Sequence, residues 1–167
     1  MDNSISNSEN VARILKKDWL DDGKLLHVAF ALRNGETYIS VNRLSSKTFE
    51  NDVKGFVSTH PGFAFGEDAQ EYYRADLNVG EVRDIHVVLD GKSIGIDVDV
   101  EPRETHIKSH AGIFTRYNNM NLKPGVSVGS DVDKTTYAAD DILLKVRLQL
   151  LCKAQCQQVR FSSDELV

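Results

Sequence analysis

The chain is poor in the residues that mark specialised scaffolds. Of its 167 residues, 2 are cysteine, 3 proline, 2 methionine and 1 tryptophan. Cys152 and Cys156 alone cannot build a disulfide framework or fill the four positions of a structural zinc site. Read on one helix, four residues apart, their Cα atoms stand about 6 Å apart but their side chains point along the axis, which suits a disulfide poorly. Basic charge is not in excess either: 20 Lys and Arg stand against 25 Asp and Glu, a net charge of −5. That balance argues against a surface that tracks phosphates, so nucleic acid is not an expected partner. No apolar run reaches the roughly 18 residues that a membrane-crossing helix needs, so no membrane is expected. Gly-x-x-x-x-Gly-Lys-Ser/Thr, Gly-x-Gly-x-x-Gly and Gly-x-Ser-x-Gly are all missing, and no cofactor is implied. The polar opening, MDNSISNSEN, lacks the charged-then-apolar plan of a signal peptide. Residues 1–9 are expected to form a disordered tail, residues 10–160 one domain, and residues 161–167 a second tail. The expected compartment is the cytoplasm.

What is present is enough for one core, with 41% hydrophobic residues. Val11, Ile14, Leu15 and Trp19 recur at helical spacing and predict an N-terminal helix, capped by Ser8 and stopped at Asp21-Asp22-Gly23. LLHVAFALR and TYISVNRL flank Asn34-Gly35, which predicts a hairpin. Ser45 or Ser46 would cap a helix carrying Phe49, Val53 and Phe56 or Val57 on its buried stripe, ended by His60-Pro61. GFAFGEDAQ reads as a loop with Phe63 and Phe65 exposed. Tyr73, Ala75, Leu77 and Val79 alternate as in a strand, as do Ile85, Val87 and Leu89, and Asp90-Gly91 turns the chain into SIGIDVDV. Residues 114–134 hold Asn118-Asn119, Pro124-Gly125 and Gly129 and read as irregular. A long helix from about Thr135 to Val159 closes the chain, with Leu143, Val146, Leu150 and Ala154 as its core stripe. Together these elements predict a single-domain α+β protein. Its mostly antiparallel, twisted sheet would have five or six strands, with helices packed mainly on one face.

Two groups of side chains have the chemistry of a site. In IGIDVDVEP, Asp97, Asp99 and Glu101 share one strand face, while Ile96, Val98 and Val100 take the other. Three carboxylates in a row can hold a hard divalent cation, or simply form a solvated outer face that discourages edge pairing. Neither acidic run is an EF-hand loop, because Pro102 and Thr136 stand where the loop needs glycine. In THIKSHAGIF, His106 and His110 stand four apart, a spacing that serves zinc only on a helix, and Pro102 and Gly112 argue against a helix there. His110 alone can be a structural histidine bonded to a backbone carbonyl, or a ligand-contacting or acid–base group.

ISVNR (39–43), LNVGEV (77–82) and SHAGI (109–113), in this order and spacing, resemble the motifs of an uncharacterised family of small, stand-alone bacterial proteins. Those proteins carry a Ser-Val-Asn-Trp-Leu-like strand, an Asn-Val-Gly-Glu turn and a Ser-His-Ala-Gly-Ile signature. The resemblance spans roughly residues 25–150 and implies no particular activity. This chain has Arg43-Leu44-Ser45 where the family often has Trp-Leu-Glu, so no acidic role carries over there. The resemblance singles out Asn42, Glu81 and His110 as the polar members of the three motifs. Each is expected at a strand end or turn, where a sheet can bring them into one pocket, with Gly80 and Gly112 letting backbone amides approach a ligand.

The leading functional expectation is a cytosolic bacterial accessory protein that recognises a partner protein or a small polar ligand through a pocket near Asn42, Glu81 and His110. One alternative is a hydrolase or metal-dependent nuclease using His110 with Glu81, or the Asp97/Asp99/Glu101 face. The other is a structural subunit that forms a homo-oligomer through its C-terminal helix or the loop at Phe63 and Phe65.

Overall fold

The computed structural model describes residues 3–129 and 135–161. Residues 1–2 and 162–167 of the two expected tails lie outside the described residues, as does 130–134, which holds the start of the second acidic run. Seven strands make the main sheet: β1 (Asn10–Ile14), β2 (Tyr38–Arg43), β3 (Glu71–Asn78), β4 (Ile96–Pro102), β5 (His110–Tyr117), β6 (Met120–Asn121) and β7 (Gln155–Arg160). Their order is β6-β5-β2-β1-β3-β7, with β4 on the other side of β5, and every pairing is antiparallel. Three helices accompany them: α1 (Phe49–Thr59), α2 (Val79–Arg83) and α3 (Ala139–Lys153). The fold is α+β in one small domain, with one or two more strands in the sheet than expected.

Both faces of the sheet are covered. Val11, Val41, Leu77, Val100 and Ile113 meet α2 and α3 in the larger core. Ala12, Ile14 and Tyr72 meet α1 through Phe49, Val53 and Val57 in a smaller one. This two-sided cover explains why the N-terminal segment misleads. Val11 and Leu15 point to one core and Ala12 and Ile14 to the other, so the strand lacks alternation and its apolar residues imitate helical spacing. The predicted N-terminal helix is instead β1, near the centre of the sheet. The segment before it is packed as well. Ile5 is buried, Asn7 O accepts from Gly80 N at 3.0 Å, and Glu9 O accepts from Val79 N at 3.0 Å.

Turn dihedrals decide where hairpins form. Asp22-Gly23, Asp90-Gly91 and Asn118-Asn119 have positive φ at both central residues and close tight hairpins. At Asn34-Gly35 only Gly35 is positive, at +85°. That is a type II geometry, whose twist splays strands apart. The predicted hairpin there is absent, and its first arm contains a 3₁₀ turn at His27–Phe30 with Ala29 and Phe30 buried. Part of the stretch read as irregular, 114–121, is the end of β5, a tight turn and β6. Phe63 and Phe65 are half-buried rather than exposed. Phe63 packs on Phe56 and Trp19, and Phe65 on Tyr73.

α1 falls where its pattern places it. The predicted C-terminal helix breaks at Ala154, and residues 155–160 become β7 beside β3. Cys152 and Cys156 therefore sit on different elements, both exposed as free thiols. The buried stripe of α3 is Ala139, Ile142, Val146 and Leu150, with Leu143 on its flank. Ile142→Ala or Leu150→Ala should destabilise the protein by about 2–5 kcal/mol in urea denaturation, as expected for a buried large aliphatic. Lys145→Ala, on the exposed face, should change it by less than about 0.5 kcal/mol. Equal losses would place the wrong face of α3 against the sheet.

Candidate functional site

β1 and β2 pair at only two positions, Val11↔Arg43 and Ala12↔Asn42. Beyond them the strands part, and Arg13 occupies the gap. Its Nε donates to Ala29 O at 3.1 Å and its Nη1 to Ser40 O at 2.8 Å. The guanidinium lies 4.6 Å from the Trp19 ring centre. Burial draws its pKa down to about 10, with Glu36 opposing the shift and Arg33 adding to it. The group stays cationic at neutral pH.

β2 and β5 are in register so that Asn42 faces His110 and Ser40 faces Gly112. Since Ala111 and Ile113 point into the larger core, His110 emerges on the α1 side of the sheet. Its Nε2 stands 2.8 Å from Ser40 Oγ and its Nδ1 3.3 Å from Thr105 Oγ1. Hydroxyls donate or accept, so either neutral tautomer is satisfied. Partial burial lowers the His110 pKa below the usual 6.5, helped by the positive Arg103 and by His106. The imidazole is neutral at pH 7.

Beside it runs a second network. Asn42 Nδ2 donates to Ser109 Oγ at 2.8 Å, and Ser109 Oγ donates to Asp52 Oδ2 of α1 at 2.6 Å. Ser109 N and Thr48 Oγ1 donate to the same oxygen at 3.1 and 2.8 Å. Burial alone would raise the Asp52 pKa. The hydrogen bonds from Ser109 and Thr48 outweigh it and hold the carboxyl below its ordinary value. Asp52 therefore ties α1 to the start of β5.

These groups border a cavity of about 370 Å³ between α1, the strands and the segment around Trp19. Its polar lining is Arg13, Arg33, Glu36, Ser40, Asn42, Asp52 and His110, and Trp19, Phe56, Phe63 and Ile107 are among its apolar lining.

Of the residues singled out by sequence, the structure brings Asn42 and His110 to this cavity. Glu81, Gly80 and Gly112 do not line it. Glu81 is exposed at the start of α2, where its N–H is capped by Asn78 Oδ1 at 3.1 Å. Its helix packs through Val79 and Val82 on the face opposite His110. A Cβ on Gly80 would stand 3.1 Å from Asn7 O, so that glycine admits the N-terminal segment. A Cβ on Gly112 would stand 2.7 Å from the Tyr38 ring, so that glycine seats an aromatic side chain rather than a ligand. Asp97, Asp99 and Glu101 do share one face, but two are held by arginines. Arg83 Nε meets Asp99 Oδ1 at 2.7 Å, and Arg116 grips both oxygens of Glu101, with Nη2 to Oε1 at 2.8 Å. Among the described residues no group of three or more His, Cys, Asp or Glu is arranged to hold a metal ion.

Ser40, Ser109 and Asp52 escaped the sequence reading. Ser40 lies two residues before Asn42 on the same strand face, and period-two spacing alone could have found it. Asp52 has no such signal, because only the packing of α1 brings it to Ser109. No family model, curated protein or solved structure matches this chain.

The lowered pKa of His110 sets a pH dependence. As pH falls, the unfolded chain takes up the imidazole proton first, at about 6.5, and the folded protein later. The stability due to neutral His110 is therefore complete above that value and is lost as pH falls through it toward the folded-state pKa. Urea denaturation of the wild type should show stability declining as pH falls through about 6.5, and His110→Gln should flatten that decline. An unchanged slope in the variant would assign the decline to other groups.

Proposed function

We propose that the protein is a binding protein whose cavity beside β2 and β5 takes a small polar ligand with a flat apolar body. The single observation that carries this reading is the composition of the lining. Neutral His110, Ser40 and Asn42 bring donors and acceptors to the cavity, and Trp19, Phe56 and Phe63 bring ring surfaces to it. Small-molecule sites combine a mostly apolar lining with a few placed polar groups in this way, and a volume of about 370 Å³ falls within their usual range. The Arg13 cation in the lining favours a ligand edge rich in acceptors.

Benzamide and benzoate serve as fragment probes. Titration followed by NMR should shift the Trp19 indole N–H and the His110 ring signals, and His110→Ala should abolish the Trp19 shift while the remaining spectrum stays that of the folded protein. Absence of shifts at both residues with both probes would refute the reading.

One observation favours a second reading, acyl transfer. Ser40 Oγ and His110 Nε2, 2.8 Å apart, have the spacing of a nucleophile and its general base. Here Thr105 rather than a carboxylate meets the far ring nitrogen. An active pair would bond Ser40 covalently to a fluorophosphonate probe, and Ser40→Ala would remove the label. An unlabelled wild type leaves binding as the function of the cavity.

A further inference from the structure

The main sheet has two edges, and they are finished differently. At one stands β4, which among the described residues pairs with β5 alone. Arg103 N donates to His110 O at 2.9 Å, so in that register Ile96, Val98, Val100 and Pro102 turn their backbone groups away from β5. This edge is guarded. Pro102 has no N–H, Val100 N donates to Asp99 Oδ1 at 2.8 Å, and Val100 O accepts from Arg83 Nη2 at 3.1 Å. Asp97, Asp99 and Glu101 add charge along the strand. Such devices prevent sheets from joining edge to edge.

At the other edge stands β7, which among the described residues pairs with β3 alone. Two hydrogen bonds fix the direction of its backbone groups. Phe161 N donates to Gln70 O at 2.8 Å, and on the opposite side of β3 Leu15 N donates to Tyr73 O at 2.9 Å. Alternation then directs the groups of Gln155, Gln157 and Val159 toward β3 and turns those of Cys156, Gln158 and Arg160 away from it. The latter three residues are exposed. Proline and carboxylates, which guard β4, are missing from β7, whose sequence is QCQQVR. Its one charge, Arg160, is already flanked by Asp68 at 3.5 Å and Glu71 at 3.7 Å.

We propose that β7 is a homodimer interface, where two copies of the chain join antiparallel across a two-fold axis into one continuous sheet. The outward groups set the register. Opposed residues exchange hydrogen bonds only when both turn their groups toward the partner strand. With the axis at Gln158, Gln158 meets the partner's Gln158 and Cys156 meets the partner's Arg160, so all three outward residues are used. A slip of one residue opposes outward groups to inward ones. An axis at Gln157 would draw in Ala154, whose N–H is already donated to Leu150 O at 2.9 Å.

The chosen register opposes no like charges. Arg160 meets a neutral thiol, the two Gln158 amides donate and accept reciprocally, and on the other face Val159 is covered by the partner's Gln157. Strands that recognise a foreign peptide add pockets for its alternate side chains. β7 instead presents exposed Gln155, Cys156, Gln157 and Gln158 and takes no part in the cavity described above. What it offers is a neutral backbone ladder, and a second copy related by a two-fold axis matches that ladder.

Amide hydrogen exchange on the full chain under reducing conditions, read by NMR, tests the interface. The amides of Gln157 and Val159 bond to β3 and should be protected at every protein concentration. Those of Cys156, Gln158 and Arg160 should exchange freely in dilute protein and slow by about tenfold or more as concentration rises, while sedimentation equilibrium records a doubling of mass. Gln158→Pro removes an outward N–H and no bond to β3, so it should leave a folded monomer. Gln158→Lys, which sets like charges on the axis, should also give a monomer and serves if the proline variant fails to fold. A wild type that stays monomeric with those three amides unprotected overturns the proposal and leaves the edge to a foreign strand. Protection independent of concentration overturns it by giving the edge to another segment of the same chain. A dimer that leaves the three amides unprotected, or that survives both substitutions, overturns it by placing the contact on another surface.

Discussion

The guanidinium of Arg13 holds together the part of the molecule that carries the cavity. Strands β1 and β2 stop pairing after two residues, and an unfilled gap there would leave the carbonyls of Ser40 and Ala29 without donors. Each buried carbonyl stranded in that way costs about 1–3 kcal/mol. Arg13 supplies both donors from one planar fork, and Trp19 stacks over it. One side chain thereby joins a central strand, its neighbour, the 3₁₀ turn and the Trp19 segment. Desolvation of the cation works against the arrangement, as its lowered pKa records, and the two carbonyl bonds offset that cost. The cavity exists because two strands separate and a cation, rather than a third strand, occupies the wedge between them.

The same face of the sheet continues away from the cavity as a surface of paired charges and rings. Arg103 lies over Tyr38 at 4.6 Å, and Arg116 over Phe114 at 4.7 Å while holding Glu101. Gly112 lets the Tyr38 ring settle onto β5. Asp99 and Glu101 of β4 are thus part of a lattice in which each arginine serves a carboxylate, an aromatic face or both. Glu9 plays the equivalent part at the sheet end, accepting from Arg43 at 2.9 Å and from Ser45 at 2.7 Å.

How far the sequence discloses this structure depends on whether a local rule or a distant contact decides each element. Class, antiparallel pairing and α1 follow from local periodicity and hold. Asp90-Gly91 announces its hairpin because both residues accept positive φ, and Asn34-Gly35 fails because Asn34 does not adopt it. β1 is hidden for the opposite reason: a strand covered on both faces has no alternation to read. β7 is hidden because its residues extend a helical pattern, and only the open side of β3 draws them into the sheet. In the candidate site, Asn42 and His110 belong to readable motifs and meet by strand register. Glu81 belongs to one as well, but the short α2 turns it toward solvent on the opposite side. Arg13 reads as a polar position in an amphipathic helix, since the wedge it fills appears only once both strands are in place.

The pairing of β7 with β3 has an implication for how the chain is made. The residues that β7 joins are far apart in sequence: Gln155 lies opposite Asp76, and Arg160 opposite Glu71. During synthesis from the N-terminus, β3 can dock on β1 long before its other neighbour leaves the ribosome. Throughout that interval one side of β3 presents unpaired amides and carbonyls, the kind of edge on which unfinished chains associate. Tyr72, which ends packed against Phe161 with ring centres 5.1 Å apart, waits on that same strand for its partner. Strand β7 therefore acts as a seal on β3, and the nascent protein is most vulnerable to pairing with its neighbours just before that seal arrives.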